Sequence, residues 1–234
     1  MELKYDISIT KVLDTLKGTQ MNALKIVAVA GLLMGSASGS ALAAGEGPYL
    51  DLTIGQMSAN IPTVNLAGFS KDDSDSTYSI GAGYKINQYF GVEAGYQNLG
   101  QVSYAWSGAG TINYRGNVIV GTGALNISAD IDGFYLGPTA SFPINDQFSV
   151  NARAGWYRWE ADGKASFTAA GTFNGTAFAA GATATDSAKG TDTYIGIGAS
   201  YQLYKNVGIN LGYTEYKIDE YKVKNWTVGA RASF

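Results

Sequence analysis

Eight segments of this chain alternate between an apolar residue and a polar residue or glycine, and this period of two constrains the fold more than any other feature. In the last segment, WTVGARASF, the residues Trp226, Val228 and Phe234 share one face of an extended chain. The segments are residues 49–57, 77–86, 90–98, 131–142, 148–159, 193–203, 207–214 and 226–234. Most have roughly the 9–11 residues that a tilted β-strand needs to cross a lipid bilayer.

The composition favours a barrel in a membrane over a helical membrane protein or an ordinary soluble domain. Charged residues make up 15 % of the chain, and its mean hydropathy is −0.03. A helical membrane protein would be far more apolar, and a typical soluble domain carries about 25 % charged residues. A membrane barrel falls between the two, because only every second residue must be apolar. Glycine (31) and tyrosine (16) are abundant and proline (4) is scarce, which suits many strands with tight turns.

The absence of two residue types excludes several classes of function. The chain has no cysteine and no histidine, so it cannot form a disulfide, a Ser-His-Asp triad, a Cys-His pair or a zinc–histidine site. The acidic run at residues 71–75 lacks the spacing and the glycine of a calcium loop. The net charge of −3 offers no basic stripe for nucleic acid. We therefore predict no enzyme activity, no cofactor, no metal site and no nucleic-acid partner.

The N-terminal region is predicted to be a leader that is not part of the fold. From residue 21 the sequence has a lysine, a short apolar run and the small-x-small motif Ala41-Leu42-Ala43. This pattern is typical of a secretory signal peptide at residues 21–43, and its apolar run is too short for a transmembrane helix. Residues 1–20 contain acidic residues that are unusual in a leader, so we interpret them as an upstream extension and Met21 as the true start. The barrel is then residues 44–234.

The connections between the alternating segments are short and long in turn. Segments two and three, four and five, and six and seven are joined by residues 87–89, 143–147 and 204–206. The other connections are far longer, apart from a short one near residues 218–221. Short turns at one end and long loops at the other are typical of an outer-membrane barrel with both termini in the periplasm. We predict an all-β fold: an eight-stranded antiparallel up-and-down transmembrane β-barrel.

The register of the strands supports the pairing of segment two with segment three and of segment six with segment seven. Folding the chain about residues 87–89 and 204–206 sets apolar residues against apolar ones and polar residues or glycine against each other. The expected pairs are Tyr84 with Val92, Gly83 with Glu93, Tyr201 with Ile209, and Ser200 with Asn210. Both faces of the two hairpins therefore match.

Three stretches carry a resemblance to a known family: YSIGAGYKINQYFGVEAGYQNLG, GIGASYQLYKNVGINLGYTEYK and the terminal strand. The sequence resembles the eight-stranded outer-membrane barrels of Gram-negative bacteria, the group of the OmpA transmembrane domain, OmpX and the opacity proteins. The resemblance covers residues 48–234 and implies a location in the outer membrane, with outer-membrane lipid and lipopolysaccharide as partners. It also implies that the barrel-assembly machinery reads the terminal strand, in which Trp226, Val228 and Phe234 form the signal. No part of the chain resembles the peptidoglycan-binding domain of OmpA, so no cell-wall tether is expected.

Charged residues on the inward face indicate how the lumen is filled. An eight-stranded barrel is just wide enough for side chains to fill it, and Asp51, Lys85, Glu93, Arg153 and Arg231 fall on the inward face. Because buried charges must pair, both signs inside predict a salt-bridge network that plugs the lumen. We expect Lys85 and Glu93 to be diagonal neighbours, Asp51 to approach Arg231, and Arg153 to lie near Glu93 or Asp51. The alternative is a gated path for ions or small solutes.

Aromatic residues in the long connections are the candidates for contacts outside the membrane. Tyr104, Trp106 and Tyr114 follow the third segment, and Phe173 lies in a Gly/Ala/Thr-rich tract after the fifth. Exposed aromatic residues on small-residue loops suit adhesion to a host surface or to another cell, and the alternative is that these residues extend the strands upward. We predict a plugged outer-membrane barrel that acts in outer-membrane integrity, in surface interaction or in both, with a small pore as the alternative.

The leader prediction can be tested by N-terminal sequencing of the protein extracted from membranes. We expect the mature chain to begin at Ala44, or within a residue or two of it, because cleavage follows the small-x-small motif. Replacing Ala43 with arginine removes that motif, and the variant should keep its leader. A mature chain that begins at Met1 would contradict the signal-peptide prediction.

Overall fold

The computed structural model describes residues 46–61, 67–114 and 117–234. The predicted leader, residues 1–43, lies outside the described residues. No described residue belongs to a helix that is long and apolar enough to cross a membrane. The described chain consists of β-strands joined by turns and short loops.

The strands form one antiparallel sheet. They are β1 (Gly47–Ala59), β2 (Phe69–Asp72), β3 (Ser74–Lys85), β4 (Phe90–Tyr114), β5 (Asn117–Pro143), β6 (Phe148–Phe173), β7 (Thr176–Tyr204), β8 (Val207–Ile218) and β9 (Tyr221–Ser233). Eight of them pair in the order β4-β3-β1-β9-β8-β7-β6-β5, and β5 pairs again with β4. The short strand β2 pairs with residues 103–106 of β4, on the same edge of β4 as β3 and beyond the residues 91–98 that pair with β3.

Closure of the ring is visible at β1, which has a partner on each side. Asp51 lies opposite Gly81 of β3 on one side and opposite Arg231 of β9 on the other. In a hydrocarbon layer each unpaired backbone N–H or C=O group costs several kcal/mol, so a membrane-spanning sheet needs a ring without edges. The prediction of an eight-stranded antiparallel barrel is confirmed.

The register expected from the sequence is also found. The structure pairs Tyr84 with Val92, Gly83 with Glu93, Tyr201 with Ile209, and Ser200 with Asn210. The turns at residues 86–89, 144–147 and 205–206 are short, and all lie at one end of the barrel. We call this the periplasmic end and the opposite one the extracellular end, following the predicted orientation.

Four strands are much longer than the alternating segments that predicted them. The lengths of β4, β5, β6 and β7 are 25, 27, 26 and 29 residues. The long connections after the third and fifth segments are therefore hairpins of paired strands, and their interpretation as loops was wrong. The alternative, that they extend the strands upward, is confirmed. Pairing with the neighbouring strand satisfies the backbone hydrogen bonds of these residues outside the membrane.

The outward face of the ring is apolar through its lower part. Leu52, Ile80, Leu136, Ile197 and Leu211 are 55–64 % exposed, and the residues between them point into the lumen. Aromatic side chains stand near both ends of this band; they include Tyr78, Tyr84, Phe90, Trp156 and Trp226. An apolar band with aromatic girdles is the lipid-facing surface of a membrane barrel.

Candidate functional site

The periplasmic part of the lumen contains an ion pair between Asp51 and Arg231. Arg231 donates from Nε to Asp51 Oδ2 at 3.1 Å and from Nη2 to the same oxygen. Asn210 Nδ2 donates to the other oxygen, Asp51 Oδ1, at 2.7 Å. The Arg231 guanidinium also lies over the ring of Tyr49, 4.1 Å from its centroid. Both carboxylate oxygens are therefore satisfied, as burial of a charge requires.

The middle of the lumen holds a second ion pair, between Glu93 and Arg153. Glu93 is only 6 % exposed, and its Oε1 lies 2.9 Å from Arg153 Nε and accepts a hydrogen bond from Tyr194 Oη at 3.0 Å. The guanidinium lies 4.9 Å from the ring centroid of Tyr135 and 5.1 Å from that of Tyr194. Within the described residues, Arg153 Nε and Nη2 have no well-aligned acceptor. Charge and ring stacking therefore hold this arginine.

Buried tyrosines fill the space around this pair. Tyr157 Oη donates to the Gln97 carbonyl at 3.1 Å, Tyr216 Oη donates to Gln97 Oε1 at 3.3 Å, and the two rings are 4.9 Å apart. The Tyr135 side chain lies along the wall, over two glycines of neighbouring strands: Gly95 of β4, its direct partner, and Gly81 of β3. A Cβ atom at Gly81 would lie 2.1 Å from the Tyr135 hydroxyl, and one at Gly95 would lie 2.6 Å from its ring. Glycine is needed at both positions so that this ring can lie against the backbone of β4 and β3.

An apolar layer closes the extracellular end of the lumen. Its buried members are Met57, Ala59, Leu99, Ile131, Trp159, Ala188, Ile218 and Val223. Trp159 Nε1 donates to Asp192 Oδ2 at 3.0 Å, and the same oxygen accepts the Asp219 N–H at 2.9 Å, which ties the layer to the β8–β9 turn. The sequence predicted a polar interior, and this part of the prediction was wrong because the inward residues above Gln97 are mostly apolar.

The lumen contains a cavity of about 70 Å³, lined by Asp51, Lys85, Glu93 and Arg153 among others. A polar cavity needs roughly 10–15 Å³ to hold one water molecule, so this one is large enough for water. Lys85 lines this cavity and forms no ion pair with any described residue. Lys85 and Glu93 are diagonal neighbours, with Lys85 opposite Gly91 and Glu93 opposite Gly83. The structure thus brings together four of the five predicted interior charges, as two pairs, and leaves Lys85 apart.

The sequence analysis missed the tyrosines of the lumen. Tyr49, Tyr135, Tyr157, Tyr194 and Tyr216 are 0–4 % exposed. Their positions in the strand pattern could have revealed them, because each falls in step with the polar inward residues of its strand. Tyr135, for example, alternates with the outward Phe134 and Leu136. The sequence analysis considered only the charged residues of the inward face, so these tyrosines were not named.

Beyond the barrel, β4 to β7 continue as a sheet that we call the extracellular sheet: residues 101–114, 117–130, 162–173 and 176–187, with β2 paired along the first of them. Its lowest row pairs Gln101 with Asp130, Asp130 with Asp162, and Asp162 with Ser187. Along β7 it extends for roughly 40 Å, at about 3.3 Å per residue. From residue 176 to residue 193, the side of β7 away from β6 has no partner strand within the described residues.

The inner face of the extracellular sheet, which continues the lumen wall, is apolar. It contains three of the four predicted loop aromatics: Tyr104, Trp106 and Phe173 lie opposite Ile127, Leu125 and Ile119 of β5, respectively. The Tyr104 ring is 5.5 Å from that of Phe69, and Trp106 Nε1 donates to the Ala67 carbonyl at 3.1 Å. The side chain of the fourth, Tyr114, lies outside the described residues.

The three residues predicted to form an assembly signal lie along β9. Trp226 and Val228 point outward and are 66 % and 47 % exposed, and the Phe234 N–H donates to the Pro48 carbonyl at 2.9 Å beside β1. Their recognition by an assembly machinery stays a prediction.

Comparison with known proteins identifies the family. The profile of a family described as "Outer membrane protein beta-barrel domain" matches residues 27–234. The chain belongs to this family. The protein is therefore located in the outer membrane, and membership of the outer-membrane β-barrel family agrees with the prediction that the chain is not an enzyme.

Individual relatives of the outer-membrane β-barrel family match parts of the chain. Outer membrane protein A of Serratia marcescens is 30 % identical over 131 residues, which cover 56 % of this chain and 29 % of that protein. Outer membrane protein A of Yersinia pseudotuberculosis is 30 % identical over 135 residues, which cover 56 % of this chain and 30 % of that protein. The chain thus spans less than a third of the length of these curated relatives.

Solved structures of outer-membrane barrels match the chain at lower sequence identity than these relatives do. The attachment invasion locus protein Ail of Yersinia pestis has a TM-score of 0.44 at 19 % identity, covering 80 % of this chain and 99 % of that one. The N-terminal barrel domain of Pseudomonas aeruginosa OprF has a TM-score of 0.42 at 11 % identity, covering 81 % of this chain and 99 % of that one.

The Glu93–Arg153 pair leads to a prediction about stability. Replacing Arg153 with alanine should lower the free energy of unfolding by about 3–5 kcal/mol, because it leaves the Glu93 carboxylate buried without its partner. The double variant Glu93→Leu/Arg153→Met should recover much of this loss, since it removes both charges and keeps an apolar filling. Urea unfolding of the barrel in lipid vesicles measures both effects.

The control is Ala152→Val, a change at an outward, exposed position next to Arg153. It should leave the unfolding midpoint nearly unchanged, because an apolar side chain there faces lipid. A midpoint that falls no further for Arg153→Ala than for Ala152→Val would show that the ion pair does not stabilise the lumen.

Proposed function

We propose that the protein is a plugged barrel that anchors the extracellular sheet and acts in surface interaction through it. The observation that carries this proposal is the apolar inner face of that sheet, which remains exposed. Its opposite face has a polar character, with Asp130, Asp162, Lys164 and Thr168 among its residues. A sheet with one apolar face outside the membrane suits contact with a partner, because such faces are otherwise covered by packing.

The exposed apolar area of the inner face of the extracellular sheet is concentrated in a few large side chains. Ile127, Phe167, Phe173 and Phe178 are 42 %, 44 %, 46 % and 37 % exposed. Between them the face is built of glycine and alanine; Gly123, for instance, leaves room for the Trp106 ring, 3.5 Å from its Cβ position. Large aromatic residues separated by small ones form shallow pockets, and buried aromatic anchors dominate binding at protein interfaces. The predicted candidates Tyr104, Trp106 and Phe173 belong to this face.

The free edge of β7 adds a second means of contact. Over residues 176–193 its outer row of N–H and C=O groups has no partner strand within the described residues. An extended segment of another protein can pair with such an edge, and its side chains then lie on the two faces of the enlarged sheet. The proposed partner is therefore a protein of a host surface or of another cell that presents an extended segment with alternating apolar side chains.

The filled lumen supports an anchor over the alternative of a small pore. An open path would have to pass the Glu93–Arg153 pair, the tyrosines around it and the apolar layer above them. No residue of the apolar layer lines the cavity of the lumen. A part in outer-membrane integrity, the other role predicted from the sequence, is compatible with such a closed barrel.

The proposal is tested with bacteria that carry the triple variant Phe167→Ser/Phe173→Ser/Phe178→Ser. We expect attachment to host-cell monolayers, or to other bacteria, to fall several-fold towards the level of a deletion strain. Removing each phenylalanine from an interface forfeits about 1.5–3 kcal/mol of apolar burial. Adherent cells are counted and normalised to the amount of protein at the surface.

The matched control is Val118→Ser/Val120→Ser, which changes two residues of the polar outer face that are 41 % and 47 % exposed. This variant should attach like the wild type. Equal attachment by the triple variant and the wild type would contradict the proposal. If the deletion strain attaches normally and instead becomes permeable to detergent, the function is membrane integrity and not surface interaction.

A further inference from the structure

The charges around the cavity of the lumen do not balance. Asp51 is paired with Arg231 and Glu93 with Arg153, whereas Lys85 forms no ion pair with any residue that the structure describes. All five side chains line the same cavity, so three cations and two carboxylates give it a net charge of +1. A charge without a partner is costly in the low dielectric of the lumen. The wall of the cavity therefore lacks one negative charge.

The wall beside Lys85 leaves space next to this side chain. The direct partners of Lys85 in the sheet are Gly91 of β4 and Gly47 of β1, so backbone alone flanks it on both sides. A Cβ atom at Gly91 would lie 2.9 Å from Thr139 Oγ1, another residue that lines the cavity. Glycine within a strand often marks a position that a ligand or another backbone approaches closely.

Hydroxyl and amide groups from other strands add hydrogen-bond donors to this wall. Ser141 Oγ donates to Asn151 Oδ1 at 2.8 Å, and Asn151 Nδ2 donates to Ser200 Oγ at 2.7 Å. Ser200 stands at the end of this series, and its own proton can be donated to a further acceptor. Arg231 uses two of its three guanidinium nitrogens on Asp51. All four of these side chains line the cavity.

The cavity has an entry at one end of the barrel only. Its lining includes Asn87 and Tyr89 of the periplasmic turn at residues 86–89. No residue of the apolar layer lines it, and this layer lies between the cavity and the extracellular end. An ion from the periplasm can therefore reach Lys85 but cannot continue through the lumen. Such a blind cavity can bind an ion without conducting it.

We propose that Lys85 and the donors around it bind one monovalent anion with the charge and size of chloride. One negative charge neutralises the cavity, whereas a dianion such as phosphate would leave an excess of negative charge inside the lumen. The cavity is large enough for water, and a chloride ion is only slightly larger. Single donors on separate strands suit a spherical ion better than a planar carboxylate, which is best matched by a two-pronged donor. The proposal is independent of the attachment role of the extracellular sheet.

The test measures urea unfolding of the barrel in lipid vesicles while sodium chloride replaces sodium gluconate at constant ionic strength. An ion that binds only the folded barrel raises the folding equilibrium constant tenfold for each tenfold increase in its concentration above the dissociation constant. We expect this dependence on chloride in the wild type and in Lys85→Arg, and its loss in Lys85→Gln. The matched control, Lys205→Gln, removes a lysine of a periplasmic turn that does not line the cavity, and it should keep the full dependence.

A second measurement locates the ion. Crystals of the wild-type barrel grown in sodium bromide should show an anomalous bromide peak in the cavity beside Lys85, and crystals of Lys85→Gln should not. Equal dependence on chloride in the wild type and Lys85→Gln, or a cavity that holds water alone, would overturn the proposal. Stronger stabilisation of the wild type by sodium acetate than by sodium chloride would overturn the assignment to a halide, because the site would then prefer a carboxylate.

Discussion

The structure depends on one constraint: inside a hydrocarbon layer, the backbone hydrogen bonds of every strand must be made within a closed ring. β1 meets this constraint at the seam, where it pairs with β3 on one side and β9 on the other. Once the ring is closed, every second residue points to lipid and the others point into a lumen that is only wide enough for side chains. The composition of the inward face then decides whether the barrel is filled or open.

The lumen is filled in layers in which the buried carboxylates have partners, while Arg153 Nε and Nη2 have no well-aligned acceptor within the described residues. Asp51 is surrounded by Arg231 and Asn210, and Glu93 by Arg153 and Tyr194. Above them the Gln97 side chain and carbonyl accept hydrogen bonds from two tyrosines, and apolar residues complete the filling. Burial of polar groups is tolerated where their partners are present, so these layers can stabilise a narrow barrel without leaving it open.

The same strands that form the wall also build the extracellular sheet, and this continuity connects the anchor with the proposed function. β4 to β7 run without a break from the periplasmic turns to the tips of the hairpins. Because side chains alternate along a strand, the face that fills the lumen becomes the inner face of the sheet above the membrane. Without an opposite wall to pack against, apolar residues such as Phe167 and Phe173 stay exposed there.

Alternation and turn length predicted the strand number, the register of two hairpins and the lipid-facing band. The pattern could not predict where β6 and β7 end, because a tract of glycine, alanine and threonine has too little contrast to show alternation. Ion pairs between distant strands depend on the shear of the barrel. For this reason Arg153 could be placed near Glu93 or Asp51 but not assigned to one, and the isolation of Lys85 was not foreseen. The tyrosines were missed for a different reason: only the charged residues of the inward face were considered, although the tyrosines fall in step with them.

The central claim, that these layers close the lumen, is tested most directly by recording currents from the purified wild-type barrel in planar lipid bilayers, with a known porin as the positive control. A closed lumen predicts no steady current above the bilayer background, because ions would have to pass the Glu93–Arg153 pair and the apolar layer containing Trp159. A steady conductance that increases with salt concentration, and whose ion selectivity changes when Lys85 is replaced by glutamine, would contradict the claim and show that the lumen is a working pore.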